Sequence, residues 1–266
     1  MSFTTSSRLF SERAGEALSG DLYLPEGPGP HPVLIGVPGG GWLRNRREQL
    51  SDWGGYLADH GFALFAIDYQ RSSEGPSYPQ NLQDVRAAIG FLKQDAPSLG
   101  LDAGRVGLLA ASAGAHLAAL AALTGEPAGV DVLVLAYGVY DLFEHWAADR
   151  WRSKGEGDDL TERMIGGRPF DDPARYFAAS PKLQVTAARA VSLKAMLVWG
   201  DADDVVLPEQ SKAFGRRLEQ AGATVRLEPV AGAGHFWFSN EPIAEAGGRT
   251  AAVAPRVLRF LKQFMA

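Results

Sequence analysis

Two periods of apolar residues run along the chain, and element boundaries fall where one period gives way to the other. Period-two alternation in Arg8–Phe10 and Leu18–Leu24, about Ala14-Gly15-Glu16, predicts a short hairpin within residues 7–30. Pro25, Gly27, Pro28, Gly29 and Pro30 close it with a loop. Val33–Val37 and Phe62–Ile67 are unbroken apolar runs, the pattern of strands buried on both faces. Between them Leu50, Trp53 and Leu57 recur at helical spacing across Arg47–His60, and Gly61 supplies a stop. Leu82, Val85, Ile89 and Leu92 mark one face of a helix over Gln80–Gln94. The stretch Val106–Leu120 begins as an apolar strand, reaches Ser112 and continues as an Ala/Leu-rich helix. Further strands are expected at Val130–Ala136, Ala195–Trp199 and Thr224–Val230, with helices at Pro208–Gln220 and Ala251–Phe264.

Strands alternating with helices predict an α/β protein with a mostly parallel central sheet and helices on both faces. Residues 137–193 break the rhythm with scattered charges, Trp146, Trp151, a turn at Gly155–Gly157 and short helical pieces. They read as a modest insertion, a lid over the strands' carboxyl ends, within a single domain spanning 1–266. No repeat or linker divides the chain.

Composition narrows the chemistry. A net charge of −5 with no basic run argues against nucleic acid or an anionic membrane as the main partner. The absence of cysteine excludes disulfides, thiolate metal sites and a cysteine nucleophile. No apolar run approaches membrane-spanning length, and the first residues lack a signal-peptide core, so a cytoplasmic protein is expected. Oligomeric state leaves no mark on the sequence.

A parallel sheet sends all its strand carboxyl ends to one edge, where four loops then gather chemistry: Gly39–Trp42, Ser112, Asp201–Asp204 and Gly232–Phe238. Ser112 sits in Ala110-Ala-Ser-Ala-Gly114, small residues suited to a tight strand-to-helix elbow, with alanine in place of the first glycine of G-x-S-x-G. A serine needs a base. His31 precedes the sheet, and His60 caps a helix end. His116 reads as a packed helical residue, and His145, in the insert, as a solvated lid residue in preference to a substrate contact. His235 alone lies in a glycine-rich loop past the last strand. Asp201, Asp203 and Asp204 offer the carboxylate that would orient it, and the order Ser–Asp–His is that of α/β-hydrolases. Gly39–Gly41 lacks the Lys-Ser/Thr of a phosphate loop and suits an oxyanion hole.

Five motifs in order carry a resemblance: Pro38-Gly-Gly-Gly-Trp42, Asp68-Tyr-Gln-Arg71, Asp102-Ala-Gly-Arg105 leading to Ser112-Ala-Gly-Ala-His-Leu117, Gly200-Asp-Ala-Asp-Asp-Val-Val206, and Gly234-His-Phe236. Over nearly its whole length the chain resembles α/β-hydrolases of the esterase/lipase group with a His-Gly-Gly-Gly-Trp oxyanion motif, acetyl- and feruloyl-esterase-like. The resemblance implies Ser112 as nucleophile, Asp203 as acid and His235 as base, with the amides of Gly40, Gly41 and Ala113 as the oxyanion hole. It places Trp42, Phe236 and Trp237, with Phe238, around the substrate pocket. The implied activity is hydrolysis of small soluble carboxylic esters through an acyl-enzyme, without metal or organic cofactor. The same machinery would serve an amidase, formamidase or aminopeptidase, and a non-catalytic binding relative is a third reading. Three departures stand out: Pro38 for the motif's histidine, Ala110 at the elbow, and Trp199, expected to pack, before the acid loop.

Overall fold

Apolar runs become the centre of the sheet, because a strand covered on both faces leaves no side for polar residues. In the computed structural model, which describes residues 3–13, 16–44, 46–125, 129–154 and 159–265, eight strands form one sheet. They are β1 (Phe3–Arg13), β2 (Glu16–Pro25), β3 (His31–Val37), β4 (Ala63–Ile67), β5 (Leu101–Ala111), β6 (Val132–Ala136), β7 (Lys194–Gly200) and β8 (Thr224–Val230). Their order is β1-β2-β4-β3-β5-β6-β7-β8. β1 and β2 pair antiparallel, as do β2 and β4; every pairing from β4 through β8 is parallel.

The helices are α1 (Ser51–Ala58), α2 (Gln80–Asp95), α3 (Ala113–Leu123), α4 (Leu142–Arg152), α5 (Leu160–Ile165), α6 (Pro173–Ala178), α7 (Ala187–Ala190), α8 (Pro208–Gln220), α9 (Trp237–Asn240) and α10 (Arg249–Met265). Adjacent residues of β4 show the two-sided packing. Phe65 stacks on Phe91 of α2, whereas Leu64 lies on the opposite face beside Gly36, against which Leu50 packs. Burying each such side chain contributes about 1.5–3 kcal/mol. None of the described helices is long and apolar enough to cross a membrane.

The expected elements are present, with three differences. The hairpin strands are longer than their apolar alternation indicated, because pairing between β1 and β2 holds the Ser/Thr-rich flanks extended. Its turn residues Ala14 and Gly15 lie outside the described residues. The helix over 47–60 divides into a 3₁₀ turn at Arg47–Leu50 and α1. β5 begins five residues early, with a register shift between the His31–Leu101 and Val33–Val106 pairs. That irregularity holds Asp102–Arg105. The Arg105 guanidinium bonds Asp102, the Pro30 carbonyl and the Met265 carbonyl, so this motif anchors the end of α10.

Residues 137–193 form α4 to α7 between β6 and β7. Gly155–Gly157 lies outside the described residues. Gln210 of α8 accepts the Tyr140 and Asp141 amides at 2.8 and 2.7 Å, and Lys182 pairs with Asp141 at 2.7 Å. Arg152 of α4 donates to the carbonyls of Asp204 and Val205. Through Gln210 and Arg152, residues 137–193 are bonded to α8 and to the acid loop.

Candidate active site

The elbow is built as its small residues require. Ser112 has φ 53° and ψ −123°, a conformation that costs a non-glycine residue about 1–3 kcal/mol and persists only where surroundings enforce it. Its amide donates to the Ala136 carbonyl at 2.8 Å. A β-carbon on Gly114 would stand 2.1 Å from the Val37 carbonyl oxygen, so α3 approaches β3 only because that residue is glycine. Ala110, by contrast, is buried between Val37 and Leu135 on the neighbouring strands, and its methyl is accommodated.

Ser112, Asp203 and His235 come together. His235 Nε2 lies 3.0 Å from Ser112 Oγ, and its Nδ1 lies 2.7 Å from Asp203 Oδ2. Asp203 Oδ1 accepts the amides of Val205 and Val206, each at 2.9 Å. The carboxylate and imidazole are almost wholly buried, at 0% and 1% exposure, where their electrostatic coupling is strong. Asp201 instead accepts the Gly232 amide at 2.6 Å and so holds the histidine loop. Asp204 is exposed and, among the described residues, lends its carbonyl to Arg152.

The glycine loop is shaped by turns. Leu43 and Arg44 amides donate to the Gly40 carbonyl at 3.1 and 2.8 Å. In a trans peptide the N–H opposes the C=O, so the Gly41 amide points away from that turn. Gly40, Gly41 and Trp42 have φ 120°, 59° and 58°. Pro38, which lacks the side chain of the motif's histidine, is held through its carbonyl by the buried Tyr69 hydroxyl at 2.9 Å. The loop is thus braced from the Asp68-Tyr69 motif.

Gly40, Gly41, Ala113, Ser112 and His235 share a cavity of about 400 Å3. Trp42 and Phe236 line it. Phe236 is half exposed, in a left-handed conformation, its ring against His235. Trp237 does not line it: its ring turns inward against Tyr137, and Phe238 stacks on Trp53, because the short helix α9 directs both side chains into the core. Trp199 packs as expected. A larger open cleft of about 830 Å3, lined by Arg46, Glu48, Asp68, Arg71 and Glu74, holds none of the Ser–His–Asp groups.

A model of the family BD-FAE matches residues 20–218. The chain belongs to the BD-FAE family. Esterase LipC of Mycobacterium tuberculosis is 31% identical over 253 residues, covering 88% of this chain and 59% of LipC. The isoprenylcysteine alpha-carbonyl methylesterase of Arabidopsis thaliana is 27% identical, covering 84% of this chain and 55% of its own. The chain therefore spans little more than half the length of these relatives. Among solved structures, carboxyl esterase 2 of Tuber melanosporum superposes with a TM-score of 0.79 at 25% identity, over 100% of this chain and 89% of that one. Esterase 2 of Thermogutta terrifontis, at 20% identity and TM-score 0.80, shares the fold. The BD-FAE chain thus has the α/β-hydrolase fold.

Tyr137, Leu160 and Val206 of this family member line the cavity without a role assigned from the sequence, and His145 lines it too. His145 is buried against the cavity instead of solvated, 3.4 Å from Asp149, and burial pushes its pKa down against the pull of that carboxylate. The His145–Asp149 spacing, four residues on one helix, was the available signal. Tyr137 directly follows β6, a strand-end position, and its ring lies 4.4 Å from that of His235. Burial holds its phenol well above the ordinary value, so it remains protonated. Leu160 and Val206 add apolar wall with no local signature.

Proposed function

We propose that this chain is a serine carboxylesterase that hydrolyses small carboxylic esters through an acyl-enzyme. The observation carrying the reading is the hydrogen-bonded run from Ser112 through His235 to Asp203, the first two in the wall of the 400 Å3 cavity. His235 Nε2 takes the serine proton as Oγ attacks the ester carbonyl. Amides of Gly40, Gly41 and Ala113 receive the oxyanion that forms. His235 then gives the proton to the leaving alkoxide oxygen, the C–O bond breaks, and the acyl group stays on Oγ. Water repeats the sequence with His235 as base, releasing the acid and restoring the serine. Asp203, held by two amides, orients the imidazole and balances the imidazolium.

Esterase names among the relatives support an ester over an amide substrate. The cavity is near the small end of the roughly 300–1,000 Å3 typical of ligand sites, which supports a compact substrate. Ser112→Ala should lower kcat/KM on p-nitrophenyl butyrate by roughly a thousandfold or more, measured by nitrophenolate release. Turnover near wild type would remove Ser112 from the mechanism. Matched esters and anilides, assayed together, separate the esterase from an amidase.

A further inference from the structure

His116 is completely buried in α3, one helical turn beyond Ser112, among alanines and leucines. Packing alone would accept an apolar side chain there. Instead both ring nitrogens are committed. Nδ1 accepts the indole N–H of Trp42 at 3.1 Å, and Nε2 donates to the Ala179 carbonyl of the insert at 2.7 Å. The two bonds select one neutral tautomer, and burial, which holds the imidazole pKa down to about 4, keeps it neutral. The Trp42 and His116 rings meet edge-on at 85°, centroids 5.3 Å apart.

Trp42 follows Gly40 and Gly41 and has φ 58°, unfavourable for a residue with a β-carbon. Its carbonyl is held by the Ser72 amide at 2.9 Å, and its side chain by His116. α3 also begins at Ala113, whose amide would complete the oxyanion hole. We propose that His116 is a positioning residue. It acts as a strut from α3 to Trp42 that sets the span between the Gly40–Gly41 amides and the Ala113 amide, its far side gripped by the insert at Ala179. The proposal rests on the oxyanion-hole reading above.

The test compares Trp42→Phe, His116→Leu, His116→Asn and His116→Gln with wild type. It reads kcat and KM on p-nitrophenyl butyrate and Ki for an alkyl trifluoromethyl ketone, which forms an anionic hemiketal on the serine. Trp42→Phe and His116→Leu should each lower kcat roughly ten- to hundredfold and weaken the ketone by the same factor, with KM within about twofold. The double variant should fall no more than about threefold below the worse single, since both remove the Trp42–His116 bond. His116→Asn, whose Oδ1 replaces the Nδ1 acceptor, should recover most of kcat; His116→Gln should not. Losses confined to KM, losses that multiply in the double variant, or an unaffected ketone would overturn the strut. Trp42→Phe keeps an aromatic ring at the site, so the test still reads the Trp42–His116 bond if His116→Leu does not fold. If Ser112→Ala keeps full turnover the esterase reading itself fails; if only Trp42→Phe does, the strut alone fails.

Discussion

Three aspartates within four residues compete for one histidine, and hydrogen bonding separates them. Asp203 is buried, with one oxygen on His235 and the other on two amides. Asp201 bonds a loop amide, and Asp204 projects outward. Asp203→Asn should therefore reduce kcat/KM by roughly 10³–10⁴-fold, because an amide leaves the imidazole in the wrong tautomer. Asp201→Asn should cost a few-fold at most, and Asp204→Asn about twofold or less, as neither touches His235. Steady-state assays of the three variants check this; Asp204→Asn as the worst would move the acid by one residue. Spacing alone left all three open, and only the resemblance singled out Asp203. Side-chain direction was less legible still. Phe236 and Trp237 are adjacent aromatics in the sequence, yet the first borders the cavity and the second packs inward.

At the scale of elements, close backbone approaches hold the loops in place. A β-carbon on Gly200 would stand 2.1 Å from the Ala233 carbonyl oxygen, so the acid loop at the end of β7 and the histidine loop meet through that glycine. Gly200→Ala should destabilise the fold by roughly 3 kcal/mol and, by moving the two loops apart, lower kcat/KM at least about tenfold. Urea unfolding and a pNP-ester assay read the two effects; a variant with wild-type values in both would contradict this packing. The insert adds a second tie. Arg152 holds the carbonyls of the two peptides whose N–H groups, at Val205 and Val206, bond Asp203. α4 is thus coupled to the carboxylate through two peptide groups, a link across about fifty residues that no local pattern signals.

For the molecule as a whole, buried histidines set the acid side of stability. Unfolded, His116 has an ordinary value near 6.5; folded, about 4. Above pH 6.5 both states are neutral and folding carries no protonation penalty. As pH falls from 6.5 toward 4 the unfolded chain binds the proton first, and stability drops by up to roughly 3 kcal/mol. His145, also pushed down by burial, contributes with the same sign. Urea unfolding between pH 7.5 and 4 should show this decline, and His116→Leu should be less acid-sensitive than wild type. A parallel decline in both would mean that His116 is not the group responsible.

Much of this architecture was set by the sequence itself. Apolar runs of strand length alternating with helical stripes require a mostly parallel sheet, because period and burial are local properties of the chain. Small residues about Ser112, and the order of the Ser, Asp and His loops, placed the candidate chemistry at one sheet edge. Tertiary structure decided what joins across distance. Ser112 meets His235 from 123 residues away, and the Trp53 indole donates to the Phe238 carbonyl across 185. His116, readable only as a packed helical residue, became a link between the glycine loop and the insert, since its two partners come from segments that packing alone brings together.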